Sequence, residues 1–362
     1  MGEFKSLVFY VLAMLCATMF FSMYKSKRKL YRKAGVFAGI MIPTLVSGFR
    51  YDVGTDYDTY NYIFSVIRQL SVGDILAEKV NLHMEKGFMF FVKLLSCIGN
   101  NKFIFGMITL CTVSIFAYTI LTQYRNRNLT VVYALFLFIH YFSSLNIIRQ
   151  YLAMAIVFWG MKYIFENKFL KYIIVIAMAS FIHITVIVTL PMWFLWDHKR
   201  NRCIKVEKKG VIFVMALIVV MYWKQILKIV LTLNIPFLQK FIPYLEANEA
   251  SNRTFYVKIF MLIVIILGMK CLKVYDERIE CFVYLYAIGT IIEYVGFYIP
   301  FAKRAGLYYS FPGLIVMSLP EMMFKKNNRF IVNLFVIGIA IIYFILFAYI
   351  LGQGGVIPYK VN

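Results

Sequence analysis

The chain has 362 residues, 62% of them hydrophobic and 15% charged, with a formal net charge of +22. A soluble domain of this length needs more polar surface, and a transmembrane barrel shows short alternating segments, not long apolar runs such as "FIVNLFVIGIAIIYFILFAYIL" at 330–351. The Lys and Arg are spread over many short loops, which excludes a nucleic-acid surface and reads as a topology signal.

Several apolar runs reach the roughly 17–25 residues that cross a bilayer as helix, and in lipid each backbone polar group must be satisfied within its own segment. The expected fold is therefore all-α, a polytopic transmembrane helical bundle. Basic clusters stand at 25–33, 124–128, 166–171, 197–209, 270–278 and 325–329. Placing all of them on the cytoplasmic side requires about twelve crossings. These are 6–24, 34–49, 102–123, 129–142, 149–165, 168–182, 184–196, 210–223, 256–270, 281–299, 306–320 and 330–351. The run 184–196 is short for a crossing and could pair with 168–182 as a bent unit around His183, so eleven or thirteen segments stay open. The N-terminal run has no small-residue cleavage site and is expected to be a retained helix. A single integral membrane domain, 1–362, is expected, with segments 50–101 and 234–255 facing outward. Cys16, Cys97, Cys111, Cys203, Cys271 and Cys281 show no metal or redox spacing and read as small packing residues.

The first outward segment opens with "RYDVGTDYDTY", Arg50–Tyr60. Thr55 as N-cap with Asp58 three positions on fits a capping box that starts a helix, and Gly54 suits a turn before it. That punctuation leaves Arg50, Asp52 and Asp56 unexplained. Arg149 enters a helix from the same side, with Asn146 a turn earlier. His183 stands in an apolar run, Lys303 and Arg304 open the next-to-last helix, and Tyr308 shares the Arg304 face. A lone His in an apolar run is commonly a hydrogen-bonded core residue, and a terminal Lys or Arg commonly snorkels to headgroups. Arg50, Arg149, Lys303 and Arg304 nevertheless all fall on the side that cations avoid, and clustered guanidinium forks suit a diphosphate. Carboxylates and an imidazole nearby supply what acid–base chemistry needs.

"RYDVGTDYDTY", "MEKGFMFFVKLL" (84–95), "NIIRQYLAMAIVFWGMKYIFENKFLKYIIVIAMASFIHITVIVTLP" (146–191) and "KRAGLYYSFPGL" (303–314) resemble, in this order, the motifs of the EpsG family of bacterial exopolysaccharide proteins, grouped with Wzy-type repeat-unit polymerases. Lys86 stands where that pattern more often has Pro or a small residue. The resemblance implies a metal-independent glycosyltransferase of the membrane-embedded C type, GT-C-like, in the bacterial cytoplasmic membrane, without a cofactor. It would transfer a glycan from undecaprenyl diphosphate onto a sugar hydroxyl of another lipid-linked repeat unit at the outer face. Its partners would be lipid-linked donor and acceptor oligosaccharides and membrane lipid, with a chain-length regulator and flippase of the same pathway.

By motif position, Arg50, Asp56, Glu85, Arg149, His183 and Arg304 are then functional candidates. His183, Asp56 and Glu85 are the expected catalytic groups. Arg50, Arg149, Lys303 and Arg304 are the expected diphosphate contacts, and Asp52, Tyr60, Asn146 and Tyr308 the expected sugar contacts. Of the candidate bases His183 is favoured, because imidazole titrates near neutrality, whereas a helix N-terminus suits Asp56 to orienting the acceptor. A lipid-linked oligosaccharide flippase or transporter and a membrane glycan acyltransferase are the competing classes. A transporter would show matching repeats and broken helices in two halves, which the chain lacks.

Overall fold

A computed structural model describes residues 1–204, 257–263, 277–296, 300–319, 324 and 326–361. The expected crossing 210–223 and outward segment 234–255 lie outside the described residues. The chain divides into two compact units, one of Met1–Gly160, Ile174–Val186 and Pro320–Asn362, the other of Met161–Ile173 and Ile187–Leu319.

In the first unit, α1 (Glu3–Ser22) packs along α2 (Lys29–Phe49). α3 (Tyr57–Gln69), α4 (Val72–Leu76) and α5 (Lys86–Ser96) follow, then α6 (Asn101–Gln123), α7 (Leu129–Ser144) and α8 (Ile148–Gly160). α2 and α6 cross with a hydrogen bond from Thr109 Oγ1 to Ser47 Oγ at 2.7 Å, the interhelical glue of membrane bundles. Among the described residues, helices Glu3–Lys25, Asn101–Gln123 and Arg329–Ile350 are long and apolar enough to cross a membrane. The fold is almost wholly helical, with one two-residue antiparallel pair, Trp196–Asp197 with Arg202–Cys203, among the described residues.

Segment 50–101 forms a small helical cap with its own core. α3 buries Tyr57, Tyr60, Phe64 and Ile67, and α5 buries Phe88, Val92 and Leu95, each set at helical spacing. They close on Ile104, Phe105 and Ile108 of α6 and on Ile148 and Leu152 of α8. At roughly 1.5–3 kcal/mol for each large apolar side chain buried, this core holds segment 50–101 in place.

Several boundaries differ from expectation. α2 begins at Lys29, inside the expected basic loop. Asp56, not Thr55, stands at the N-cap position of α3, without a side-chain capping bond: the Gly54 and Thr55 amides donate to Gly355 and Gly354 carbonyls, which keeps that stretch out of the helix. The expected crossing 149–165 is interrupted after Gly160, where α9 (Lys162–Phe165) begins. After α10 (Phe169–Ser180), Ile184–Leu195 winds as a 3₁₀ helix containing Pro191. At about 2.0 Å per residue that winding is longer than an α-helix of the same run. Cys16 and Cys97 are exposed, whereas Cys203 and Cys281 are buried.

In the second unit residues 257–263 are helical, and α11 (Glu277–Val295) packs along α12 (Pro300–Ser310), with α13 (Gly313–Met317) after it. The expected run 306–320 is divided because Pro312 disfavours helical backbone at Phe311. The first unit closes with α14 (Arg329–Ile350), after which the chain turns back across the start of the cap.

Candidate active site

Four segments distant in sequence meet in the first unit. Glu85 is the residue before α5, and its Oε2 accepts a hydrogen bond from Arg149 Nη1 at the start of α8. Its Oε1 accepts from the Ile184 N–H at 3.0 Å and lies 3.4 Å from His183 Nδ1, just past α10. Arg149 Nε points to the Tyr60 hydroxyl of α3 at 3.4 Å, and its guanidinium lies over the Phe88 ring. The side chains of Arg149, Glu85 and His183 keep 17%, 12% and 13% of their surface exposed, so the cluster is recessed but not sealed.

The backbone explains the approach. The Phe88 N–H donates to the Phe181 carbonyl at 3.0 Å, and a Cβ at Gly87 would stand 2.6 Å from that same oxygen. Only glycine lets α5 begin this close to the end of α10. Lys86 takes the first helical position, where proline is favoured elsewhere, so the departure from the family pattern leaves the helix start intact.

Burial alone would raise the Glu85 carboxyl. The His183 imidazole, the Arg149 charge and the Ile184 N–H outweigh it and hold the pKa near about 2. Glu85 is thus a carboxylate throughout the neutral range and a weak proton acceptor. A carboxylate beside Nδ1 favours the tautomer protonated there, which makes Nε2 the lone-pair nitrogen of His183.

Arg50 ends α2 in a different setting. Its guanidinium lies over the Phe105 and Tyr57 rings, and Nη1 donates to the Val53 carbonyl at 3.2 Å. It is 1% exposed, with Nε and Nη2 lacking a hydrogen-bond partner among the described residues. The returning chain pairs with this loop: Tyr51 N–H donates to Lys360 O at 2.9 Å, Gly54 N–H to Gly355 O at 2.9 Å, and Asp52 forms an ion pair with Lys360. Asn146 Nδ2 donates to Gly354 O at 2.8 Å. Gly54 has φ +104°, and a Cβ there would strike Asn146 Oδ1. Asp56 accepts from the Thr55 hydroxyl at 3.1 Å.

Glu85, Arg149, His183 and Tyr60 are therefore brought together, while Arg50, Asp52 and Asn146 gather around the C-terminal segment. Lys303, Arg304 and Tyr308 lie on α12 of the second unit, Lys303 and Arg304 partly exposed and Tyr308 buried.

Sequence reading passed over three features. His140 Nδ1 is 3.0 Å from the Tyr151 hydroxyl, buried where α7 widens into a π turn at Phe136–Tyr141. In the second unit buried Lys258 and Glu293 form an ion pair, and Ser310 donates to the same carboxylate. The third is the tail itself. Single charges or a His inside apolar runs were the available signals for the first two; the tail carried none. Among the described residues no group of three His, Cys, Asp or Glu side chains could hold a metal ion.

An almost wholly helical chain with membrane-length apolar helices and a charged cluster beside a helical cap defines a polytopic membrane protein. The EpsG family model matches residues 33–361, nearly the whole length, and the chain belongs to that family of Wzy-type polymerases. No curated protein and no solved structure matches it.

Proposed function

We propose that this protein polymerises lipid-linked repeat units, transferring a glycan from undecaprenyl diphosphate onto a sugar hydroxyl at the outer face of the bacterial cytoplasmic membrane. Family membership supports a membrane polysaccharide polymerase of glycosyltransferase type acting on lipid-linked oligosaccharides. The observation that carries the finer reading is the meeting of Glu85, Arg149, His183 and Tyr60 from three of the four motif segments. We assign the acceptor proton to His183, with Glu85 orienting its ring, as a carboxylate does in other His-based catalysts. Arg149 retains N–H groups beyond those facing Glu85 and Tyr60, and a diphosphate oxygen is the fitting partner. Lys303 and Arg304 are proposed as further diphosphate contacts, and Asp56, Asp52, Tyr60, Asn146 and Tyr308 as sugar contacts. Arg50, buried against the Phe105 and Tyr57 rings, is assigned to holding the motif loop.

The remaining elements of this reading are about twelve crossings, a GT-C-like arrangement, outward segments 50–101 and 234–255, and metal-independent chemistry in which fixed cations stabilise the leaving diphosphate. A chain-length regulator and a flippase are the expected pathway partners.

The test is conversion of lipid-linked repeat units into a ladder by the purified chain in proteoliposomes. Translocation of the repeat unit without chain growth would identify a flippase and overturn the proposal.

A further inference from the structure

The first unit carries a second concentration of charge at its other end. Arg32 and Lys33 near the start of α2, and Arg125 just beyond α6, line a cavity of about 760 Å³ whose apolar wall includes Phe37, Ile40 and Leu121. Arg50 lies at the opposite end of α2 and Phe105, on which it rests, near the start of α6, so the cavity and the Arg50 loop at the base of the helical cap stand roughly 25 Å apart at 1.5 Å rise per residue. That separation approaches the thickness of a hydrocarbon core. Both basic clusters feeding the cavity belong to the side that the Lys/Arg distribution assigns to the cytoplasm.

Among the described residues the lining contains no Asp or Glu, and none of the three cations forms an ion pair. Arg125 Nε donates to the Leu121 carbonyl at 2.9 Å, which holds that guanidinium against the helix end while its other N–H groups remain to bind. Arg32 and Val36, Lys33 and Phe37, and Val36 and Ile40 are each four residues apart, so one face of α2 runs from charge to apolar surface toward the helix middle. Phe37 on that strip is 65% exposed.

Ordinary snorkelling explains cations at a helix end, but not a concave, acid-free site continued by an apolar strip. A soluble phosphate would use only the cationic half. The matching ligand has a negative head and a hydrocarbon body. We propose that this cavity binds an anionic glycerophospholipid of the leaflet opposite the candidate active site, its phosphate on Arg32, Lys33 and Arg125 and its upper chain along Phe37 and Ile40.

The purified full chain, delipidated in detergent, would be titrated with phosphatidylglycerol or phosphatidylcholine, with bound lipid read by native mass spectrometry. Phosphatidylglycerol should bind more tightly. Neutralising each cation should weaken it about fivefold, and the triple variant Arg32→Gln, Lys33→Gln, Arg125→Gln on the order of 100-fold. The matched variant Lys27→Gln, Arg28→Gln, Lys29→Gln removes three exposed charges outside the lining and should bind as the parent does. Phe37→Ala should also weaken lipid binding. Equal losses in the two triple variants, or equal affinity for the two lipids, would overturn the proposal. So would displacement of the lipid by inorganic pyrophosphate at matching concentration, which would mark a site for a soluble anion.

Discussion

Arg50 and Arg149 come from neighbouring regions of one unit, and both were marked by sequence as outward cations, yet their surroundings differ in kind. Arg50 is 1% exposed and faces two aromatic rings and a carbonyl, with no carboxylate in ion-pair contact among the described residues. Arg149 keeps 17% of its side chain exposed and faces Glu85 and a tyrosine hydroxyl. A guanidinium buried against aromatic rings and a backbone carbonyl fixes backbone, because contact with the ring faces is its main interaction. One that shares a recess with a carboxylate and an imidazole can meet a ligand and hold it beside a proton acceptor. Residue type supplied the charge; the neighbours decide its use.

The sharpest way to break this contrast is at the imidazole. His183→Ala should reduce polymer formation about 10²–10⁴-fold with donor binding nearly unchanged, since a general base acts mainly in the transition state. Undiminished turnover in a folded variant would remove His183 from the chemistry. Asp56→Asn, at the partly buried start of α3, should cost less and act on the acceptor side; the reverse ranking would make Asp56 the base.

Substituting each arginine by lysine sharpens the comparison directly. Arg149→Lys loses the fork that serves Glu85 while reaching Tyr60 and the donor, and its affinity for a lipid diphosphate should fall about 10–100-fold, the range of one or two charge-assisted hydrogen bonds. Arg50→Lys loses its stacking on Phe105 and Tyr57, worth about 1–2 kcal/mol, and should lower the melting temperature while the folded fraction binds donor normally. If Arg50→Lys instead weakens donor binding at unchanged stability, Arg50 belongs to the diphosphate site after all.

Glu85 gives the comparison a pH dependence. Its folded pKa of about 2 lies below the ordinary 4.5, so its carboxylate stabilises the fold fully above the ordinary value. The contribution, on the order of 3 kcal/mol, is lost as pH falls from 4.5 through about 2. Melting temperatures measured between pH 6 and pH 3 should fall more steeply for the parent than for Glu85→Gln. Parallel curves would mean that the Arg149 and His183 contacts do not hold this carboxylate.

Helical class and every residue of the Glu85 cluster were legible in sequence, because apolar run length and charge beside apolar runs are local signals. Their assembly was not. Nothing in the spacing of Glu85, Arg149 and His183 says that Gly87 brings two helix ends into contact, which is a tertiary fact. The capping box placed at Thr55 illustrates the same limit: the local pattern was sound, but hydrogen bonds to Gly354 and Gly355, some three hundred residues away, took the amides first. A true capping box formed nearby at Ser71 and Asp74. The break after Gly160 and the 3₁₀ winding of Ile184–Leu195 were likewise invisible to hydropathy, which counts apolar residues without regard to helix type.

The smallest effect concerns the C-terminal segment beside Arg50. Asp52 and Lys360 form an exposed ion pair, and pairs of this kind contribute about 0–1 kcal/mol. Lys360→Ala should therefore change melting temperature and turnover little, and raised salt should erase even that. The backbone pairing of Tyr51 and Gly54 with Lys360 and Gly355 is made of main-chain groups and survives the substitution. Gly354 is the contrasting position: at φ +80° and in contact with Asn146, it tolerates no side chain without strain, so Gly354→Val should cost more than Lys360→Ala. Equal, negligible effects of both substitutions would show that the tail does not hold the Arg50 loop, and the distinction between a loop held by the tail and a recess built by Glu85 would fail.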